Sequence, residues 1–283
     1  MVPSRIDASP RREPAVTDSL WTQVRHEAEQ ALAGEPMLAP LFVATILQQR
    51  CFEHAVLHRV AVHLSHGTLQ AGMLFDMFRD VLEADPGLGD AFRADIVAVI
   101  ERDPACRRLI EPLLYFKGFR AIQAHRISHW LWNNHRSELA LCLQSASSRA
   151  FQTDIHPAAR FGRGILLDHA TGLVAGATAV VEDGASILHA VTLGGTGNQA
   201  GDRHPKVRRG VLIGAGATIL GNIEIGSCAR IAAGSVVVHP VPPNSTVAGV
   251  PARVVGTAGC AEPARSMDQI LSELSYAAFT YTI

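Results

Sequence analysis

The sequence predicts an α+β chain in three parts: an N-terminal all-helical domain (1–153), a parallel β-helix of hexapeptide repeats (154–256) and a flexible C-terminal tail (257–283). Three observations predict it. Apolar residues recur at three- and four-residue steps before residue 152, and every six residues after it. Of the 24 glycines, 18 fall within 155–260, whereas all three tryptophans (Trp21, Trp130, Trp132) lie in the first half. Hydrophobic residues make up 48% of the 283 residues and charged residues 18%, which suffices for a large core and excludes a disordered chain.

The helical elements follow in order. Residues 1–40 carry no clear period; in the first twenty, Arg5, Arg11 and Arg12 are mixed with acids and three prolines, as expected of a frayed tail and not of a secretory signal. Helical periodicity then runs through Leu41–Leu64, Leu69–Leu82, Ala91–Ile100, Leu113–Trp132 and Leu139–Phe151. Gly67, Pro86–Gly89, Pro104 and Pro112 punctuate these runs, giving a bundle of about six helices.

The hexads read Ile155, Phe161, Leu167, Leu173, Ala179, Ala185, Val191, then after a break Val207, Ile213, Ile219, Ile225, Ile231, Val237. Small residues often follow them, such as Gly162, Gly214, Gly226 and Ala232. A helix has no reason to repeat every six residues. A coil of three short strands and three corners does, because the apolar residue points inward and stacks on the coil above. Sixteen residues separate Val191 from Val207, so Gly197–Lys206 is expected to bulge as a loop bearing Asp202, Arg203, His204 and Lys206.

A net charge of -1 argues against a nucleic-acid-coating protein. No run of about 18 apolar residues exists to span a membrane. The five cysteines (51, 106, 142, 228, 260) are widely spaced without C-x-x-C, as expected of reduced thiols in the cytoplasm. Lysine occurs only at Lys117 and Lys206 among 25 basic residues, which reads as a composition bias.

Asp154, His156, Asp168 and His169 fall on consecutive coils. With 18 residues per coil, Asp154 and His169 are expected to be near neighbours up the stack. A carboxylate beside an imidazole orients the ring and suits a general base; the alternative is a pair of solvent-facing corner residues. Other signals carry less. Gly195-Thr196-Gly197 does not open a helix in a βαβ unit, and His54/His58 and His125/His129 have no H-E-x-x-H beside them.

The strings DIHPAA (154–159), LDHATG (167–172), VTLGGTG (191–197), GDRHPK (201–206) and AGVPARVVG (248–256) resemble the serine O-acetyltransferases, from about Leu82 to the end of the β-helix. The resemblance implies a left-handed parallel β-helix. It implies acetyl transfer from acetyl-CoA to the L-serine hydroxyl, with acetyl-CoA as co-substrate, no tightly bound cofactor and no metal. It makes His169 the base and Asp154 its orienting carboxylate. Asp103, Asp168, Arg203 and His204 would hold serine, Arg203 through the planar fork that suits a carboxylate. Gly195, Ala215, Arg230, Ala233 and Arg253 would meet acetyl-CoA. It also implies trimers through the β-helices, joined as hexamers through the helical domains, inhibition by L-cysteine, and docking of Ile283 in O-acetylserine sulfhydrylase. The rival acceptor is a sugar or another amino acid. A zinc hydratase on the same coil needs H-x-x-x-x-H, but His156, His169, His189, His204 and His239 are spaced 13, 20, 15 and 35 apart. A non-catalytic trimeric scaffold would not need the motif set.

Overall fold

The structure, a computed structural model, describes residues 18–197 and 200–271. Eight α-helices precede the first strand among the described residues: α1 (Ser19–Gly34), α2 (Ala39–Phe42), α3 (Phe52–Leu64), α4 (Ala71–Ala84), α5 (Gly87–Arg102), α6 (Ile110–Leu114), α7 (Lys117–Asn133) and α8 (Ser137–Phe151). That is more than the six expected, because the Leu113–Trp132 run divides into α6 and α7 at Tyr115–Phe116, and for two further reasons. α1 was not legible; its start is set by Asp18, whose carboxylate accepts from the Trp21 N–H at 3.1 Å. The Leu41–Leu64 run breaks in two, because α2 passes into a π-helical turn at Val43–Leu47 and Cys51 is extended. The carbonyls freed there accept from side chains: Ala44 from Gln49 at 2.7 Å and Leu47 from Arg25 at 2.9 Å. α7 is buried on almost every side and forms the axis of the bundle.

From Thr153 the chain winds into a β-solenoid of about five turns with three sheets. Stacking Ile155, Ala175, Leu193, Ile219 and Val237 builds the first face. Phe161, Val181, Val207 and Ile225 build the second, and Leu167, Ile187, Ile213, Ile231 and Val247 the third. All pairings are parallel except the last strand, Ala252–Thr257, which folds back antiparallel on Ser245–Gly249.

The register corrects the expected hexads. Ile155 pairs with Ala175, not Leu173, so the first coil is 20 residues long. The expected Leu173, Ala179, Ala185 and Val191 are buried, yet two residues out of register with the true columns. Two extra residues have entered between Leu167 and Ala175. The later loop then holds eight extra residues, because Leu193 and Val207 are the consecutive column positions.

The helical bundle is pinned to the first coils by buried polar contacts. Asp95 of α5 is fully buried; it pairs with Arg126 of α7 at 2.8 Å and accepts from the Ile165 N–H at 2.9 Å. Arg126 also donates to the Gly162 carbonyl at 2.6 Å. Arg102, at the end of α5, donates to Ser186 Oγ at 3.0 Å. The fully buried Asp95 is therefore matched by the Arg126 guanidinium, as burial of a charge requires.

The described part of the expected tail, 257–271, returns to the body. It forms α9 (Pro263–Ser266), whose Ala264 carbonyl accepts from Ser186 Oγ at 2.7 Å. Met267 packs on Val99, Cys106 and Leu166. Ile283 lies outside the described residues.

Candidate active site

The corner between the third and first faces carries the most unusual backbone of the solenoid. The two inserted residues fall within Asp168–Val174, and His169 (φ 55°) and Ala170 (φ 57°) are both left-handed. Non-glycine residues pay about 1–2 kcal/mol for that region, and such strain collects at functional sites. The turn closes on itself, with the Ala170 N–H donating to the Asp168 carbonyl at 2.6 Å and the Thr171 N–H to the His169 carbonyl at 2.7 Å. Its product is an imidazole lifted off the coil, 75% exposed, with Nε2 3.7 Å from Asp168 Oδ1. The His189 ring stands edge-on to it at 5.9 Å.

A cavity of about 620 Å³ opens beside this histidine, between the corner and the helical bundle. Its charged and titratable lining is Asp103, Tyr115, Lys117, Asp168 and His169, set among Val99, Phe116, Phe119 and Leu166. Asp103 sits just past the end of α5 and its Oδ1 accepts from the Ala105 N–H at 2.9 Å. Burial pushes the Asp168 carboxyl above its ordinary range; His169 draws it down and Asp103 raises it again. Two facing carboxylates in a partly buried cavity suit an ammonium group. The α7 backbone closes one wall, and a Cβ on Gly118 would lie 1.9 Å from the Leu167 carbonyl oxygen.

The same corner continues down the stack as a column. His169, His189, Ala215 and Ala233 each lie two residues past a third-face residue: Leu167, Ile187, Ile213 and Ile231. The last strand brings exposed Arg253 beside Ala248, on the strand after Ile231. Ala215, Ala233 and Arg253 thus line up below His169, as expected of a long ligand lying along the corner.

Other expected site residues stand elsewhere. Asp154 does not pair with His169 among the described contacts. It accepts from Gln144 of α8 at 2.6 Å, while the insertion swings the histidine outward to Asp168. Arg230 is buried and not open to a phosphate; it donates to Thr246 Oγ1 and to the Asp268 carbonyl, both at 3.2 Å, holding the returning C-terminal segment.

Gly195, Arg203 and His204 lie at the next corner, between the first and second faces. Gly195 faces the Arg203 side chain, at 3.1 Å from a Cβ built on it. His204 is buried, with its ring against Gly176 so closely that a Cβ there would meet Nε2 at 1.9 Å. Thr178 donates to His204 Nδ1 from its N–H at 3.2 Å, and its hydroxyl lies 2.8 Å from the same nitrogen. That nitrogen is therefore the acceptor, which leaves the ring proton on Nε2. Burial, then Arg203 and Lys206, lower the His204 pKa and keep the ring neutral.

Lys117, Thr171, His189 and Thr178 were not singled out from sequence. His189 was reachable, because it repeats the position of His169 one coil on; the slipped register hid it. No described helix is long and apolar enough to cross a membrane.

A repeat solenoid that projects a histidine over a carboxylate-lined cavity, with a small-residue column leading away, defines a hexapeptide-repeat transferase. Comparison narrows the class. The family model for the serine acetyltransferase N-terminal region matches residues 20–124, and that for the bacterial transferase hexapeptide (six repeats) matches 204–239. The chain is 52% identical to the serine acetyltransferase of Salmonella typhimurium over 250 residues, 88% of this chain and 92% of the other. The Brucella abortus serine acetyltransferase in complex with coenzyme A superposes with a TM-score of 0.85 at 58% identity, covering 86% of this chain and 97% of that one. The soybean enzyme complexed with serine gives 0.82 at 51% identity, covering 83% of this chain and 97% of that one. The chain belongs to the serine acetyltransferase family.

Proposed function

We propose that this chain transfers acetyl from acetyl-CoA to the hydroxyl of L-serine, giving O-acetyl-L-serine and CoA. The observation that carries it is the strained corner, which lifts His169 beside a cavity with two carboxylates. His169 takes the hydroxyl proton as the serine oxygen forms its bond to the acetyl carbon. The carbon–sulfur bond breaks, and the proton passes to the departing thiolate; no acyl-enzyme is needed. Asp103 and Asp168 receive the serine ammonium. Asp168 is the carboxylate nearest the ring, and Asp154 takes over orientation if the ring turns toward the first face. Acetyl-CoA lies along His189, Ala215 and Ala233 toward Arg253.

The serine carboxylate needs a cation, and Arg203, with the His204 ring beside it as a hydrogen-bond donor, is one corner away within the chain. A neighbouring copy in a trimer supplies them, so the site is completed between subunits. A hexamer through the helical domains, docking of Ile283 in a sulfhydrylase and a cytoplasmic setting for the five free thiols belong to the same reading.

The test is CoA-thiol release by purified protein with L-serine, L-homoserine, glucosamine or no acceptor, beside His169→Ala. Release that requires L-serine and falls by about 10²–10⁴ in the variant is expected. Release with another acceptor instead moves the substrate and keeps the base.

A further inference from the structure

Both lysines of this chain sit at the two places where the solenoid departs from its repeat. Twenty-three of the 25 basic residues are arginine, so lysine is the exception. Lys117, the first residue of α7, donates from Nζ to Thr171 Oγ1, inside the two-residue insertion that carries His169. Lys206 closes the eight-residue insertion that carries Arg203 and His204. Its Nζ donates to the Thr178 carbonyl at 2.8 Å, the His204 carbonyl at 2.8 Å and Asp202 Oδ1 at 2.5 Å.

The two insertions need holding. The first contains consecutive left-handed residues, and its histidine is too exposed to be fixed by its own packing. Strain of that kind persists only where the surroundings over-determine it. Backbone bonds secure the far side, from the Gly172 N–H to the Gln152 carbonyl at 2.8 Å and from the Ala190 N–H to the Thr171 carbonyl at 2.7 Å. On the cavity side the grip comes from α7. Gly118 rests against the Leu167 carbonyl where the turn begins, and Lys117 reaches Thr171 beyond the histidine. The second insertion is held where Lys206, Thr178 and His204 share one network. Thr178 Oγ1 accepts from the Arg203 and His204 N–H groups at 3.1 and 3.2 Å.

An ammonium suits both places. It is a compact charge whose three donors point apart, so it can gather a hydroxyl or several carbonyls from different segments; the planar guanidinium fork binds acceptors side by side. We infer that Lys117 and Lys206 are a matched pair of positioning residues, one for each insertion, acting through His169 and through Arg203 with His204. Neither is a catalytic residue.

The inference rests on the serine acetyltransferase reading and is tested with Lys117→Arg and Lys206→Arg, which keep the charge and change only its shape. Misplacement on the scale of 1 Å costs up to about 10²-fold. Lys117→Arg is expected to lower kcat by about tenfold or more with the KM for serine unchanged. Lys206→Arg is expected to raise the KM for serine by a similar factor with kcat nearly kept. Thr171→Val should reproduce the first loss, and adding it to Lys117→Arg should not deepen it, as for two partners of one contact. Amide hydrogen exchange gives a readout free of activity: it should quicken at 168–172 in the first variant and 202–205 in the second, with melting temperatures kept. Wild-type constants and exchange in both arginine variants overturn the inference. So does an equal loss of kcat and KM in each, or a loss explained by a fall in melting temperature. Wild-type protein that does not acetylate serine would sink the functional reading alone, leaving the exchange result to decide this one.

Discussion

Two adjacent corners of one solenoid carry the two histidines expected in the site, and they are built in opposite ways. At the third-to-first corner His169 is left-handed, 75% exposed and touched by little. At the first-to-second corner His204 is buried, seated on Gly176 and fixed in one tautomer by Thr178. The difference fits different work. A base must reach a mobile hydroxyl and cycle its proton, which needs an open ring. A group that holds a carboxylate gains from being rigid and already desolvated. The corners also stand apart by the width of the first face, so one chain carries two incomplete halves.

The largest effect that tests this comparison comes from mixing two inactive proteins. His169→Ala and Arg203→Ala should each be severely impaired, the first by about 10²–10⁴. If each site joins the His169 corner of one copy to the Arg203 corner of another, co-assembly restores activity. Random mixing gives about a quarter of the sites both intact halves, because each half must come from the right variant. Rates no higher than the sum of the two separate proteins would place both halves in one chain.

A smaller effect separates the corners by their glycines. Alanine at Gly118 drives a Cβ against the Leu167 backbone carbonyl, which cannot rotate away. The expected cost is about 1–3 kcal/mol of stability, read as a lowered urea midpoint, together with lost kcat as α7 leaves the catalytic turn. Alanine at Gly176 drives a Cβ into the His204 ring, 1.9 Å from Nε2, so the ring must leave its seat while the backbone stays. That variant should stay folded and show its damage in the KM for serine. Equal melting losses in the two would erase the distinction.

What the sequence revealed follows from the same local physics. The six-residue period was plain because inward residues stack in every coil. The register was not, because the solenoid buries a second residue two positions before most column residues. Leu173, Ala179, Ala185 and Val191 are as buried as Ala175, Val181, Ile187 and Leu193, so a slip of two costs the apolar pattern nothing. That slip hid the inserted residues beneath His169, made Asp154 look like its neighbour, and concealed His189. Arg230 failed for another reason: its burial depends on Asp268, thirty-eight residues on, whose return no local pattern announces. Asp103, Asp168, His169, Ala215 and Ala233 were expected from the resemblance, and the fold brings them along one corner. α1 was missed because its apolar positions are few and residues before it blur the start.

The smallest effect concerns the carboxylate between the open ring and the cavity. Asp168 has its folded pKa raised above the unfolded value, chiefly by burial. A folded state that binds the proton more tightly is favoured at low pH, and that contribution is lost as pH rises through the raised pKa. At neutral pH the ionised carboxylate is therefore a cost borne for the ammonium it receives. Asp168→Asn removes the cost, so the variant should melt a few degrees higher than wild type at neutral pH while its KM for serine rises. The melting advantage should shrink as pH falls into the carboxylate range, because wild-type Asp168 then becomes neutral too. Serine should stabilise wild type at pH 7 and do so far less in the variant. A variant that melts lower at neutral pH would mean that Asp168 holds the turn and not the substrate, and the contrast between an open, strained corner and a packed one would lose its electrostatic half.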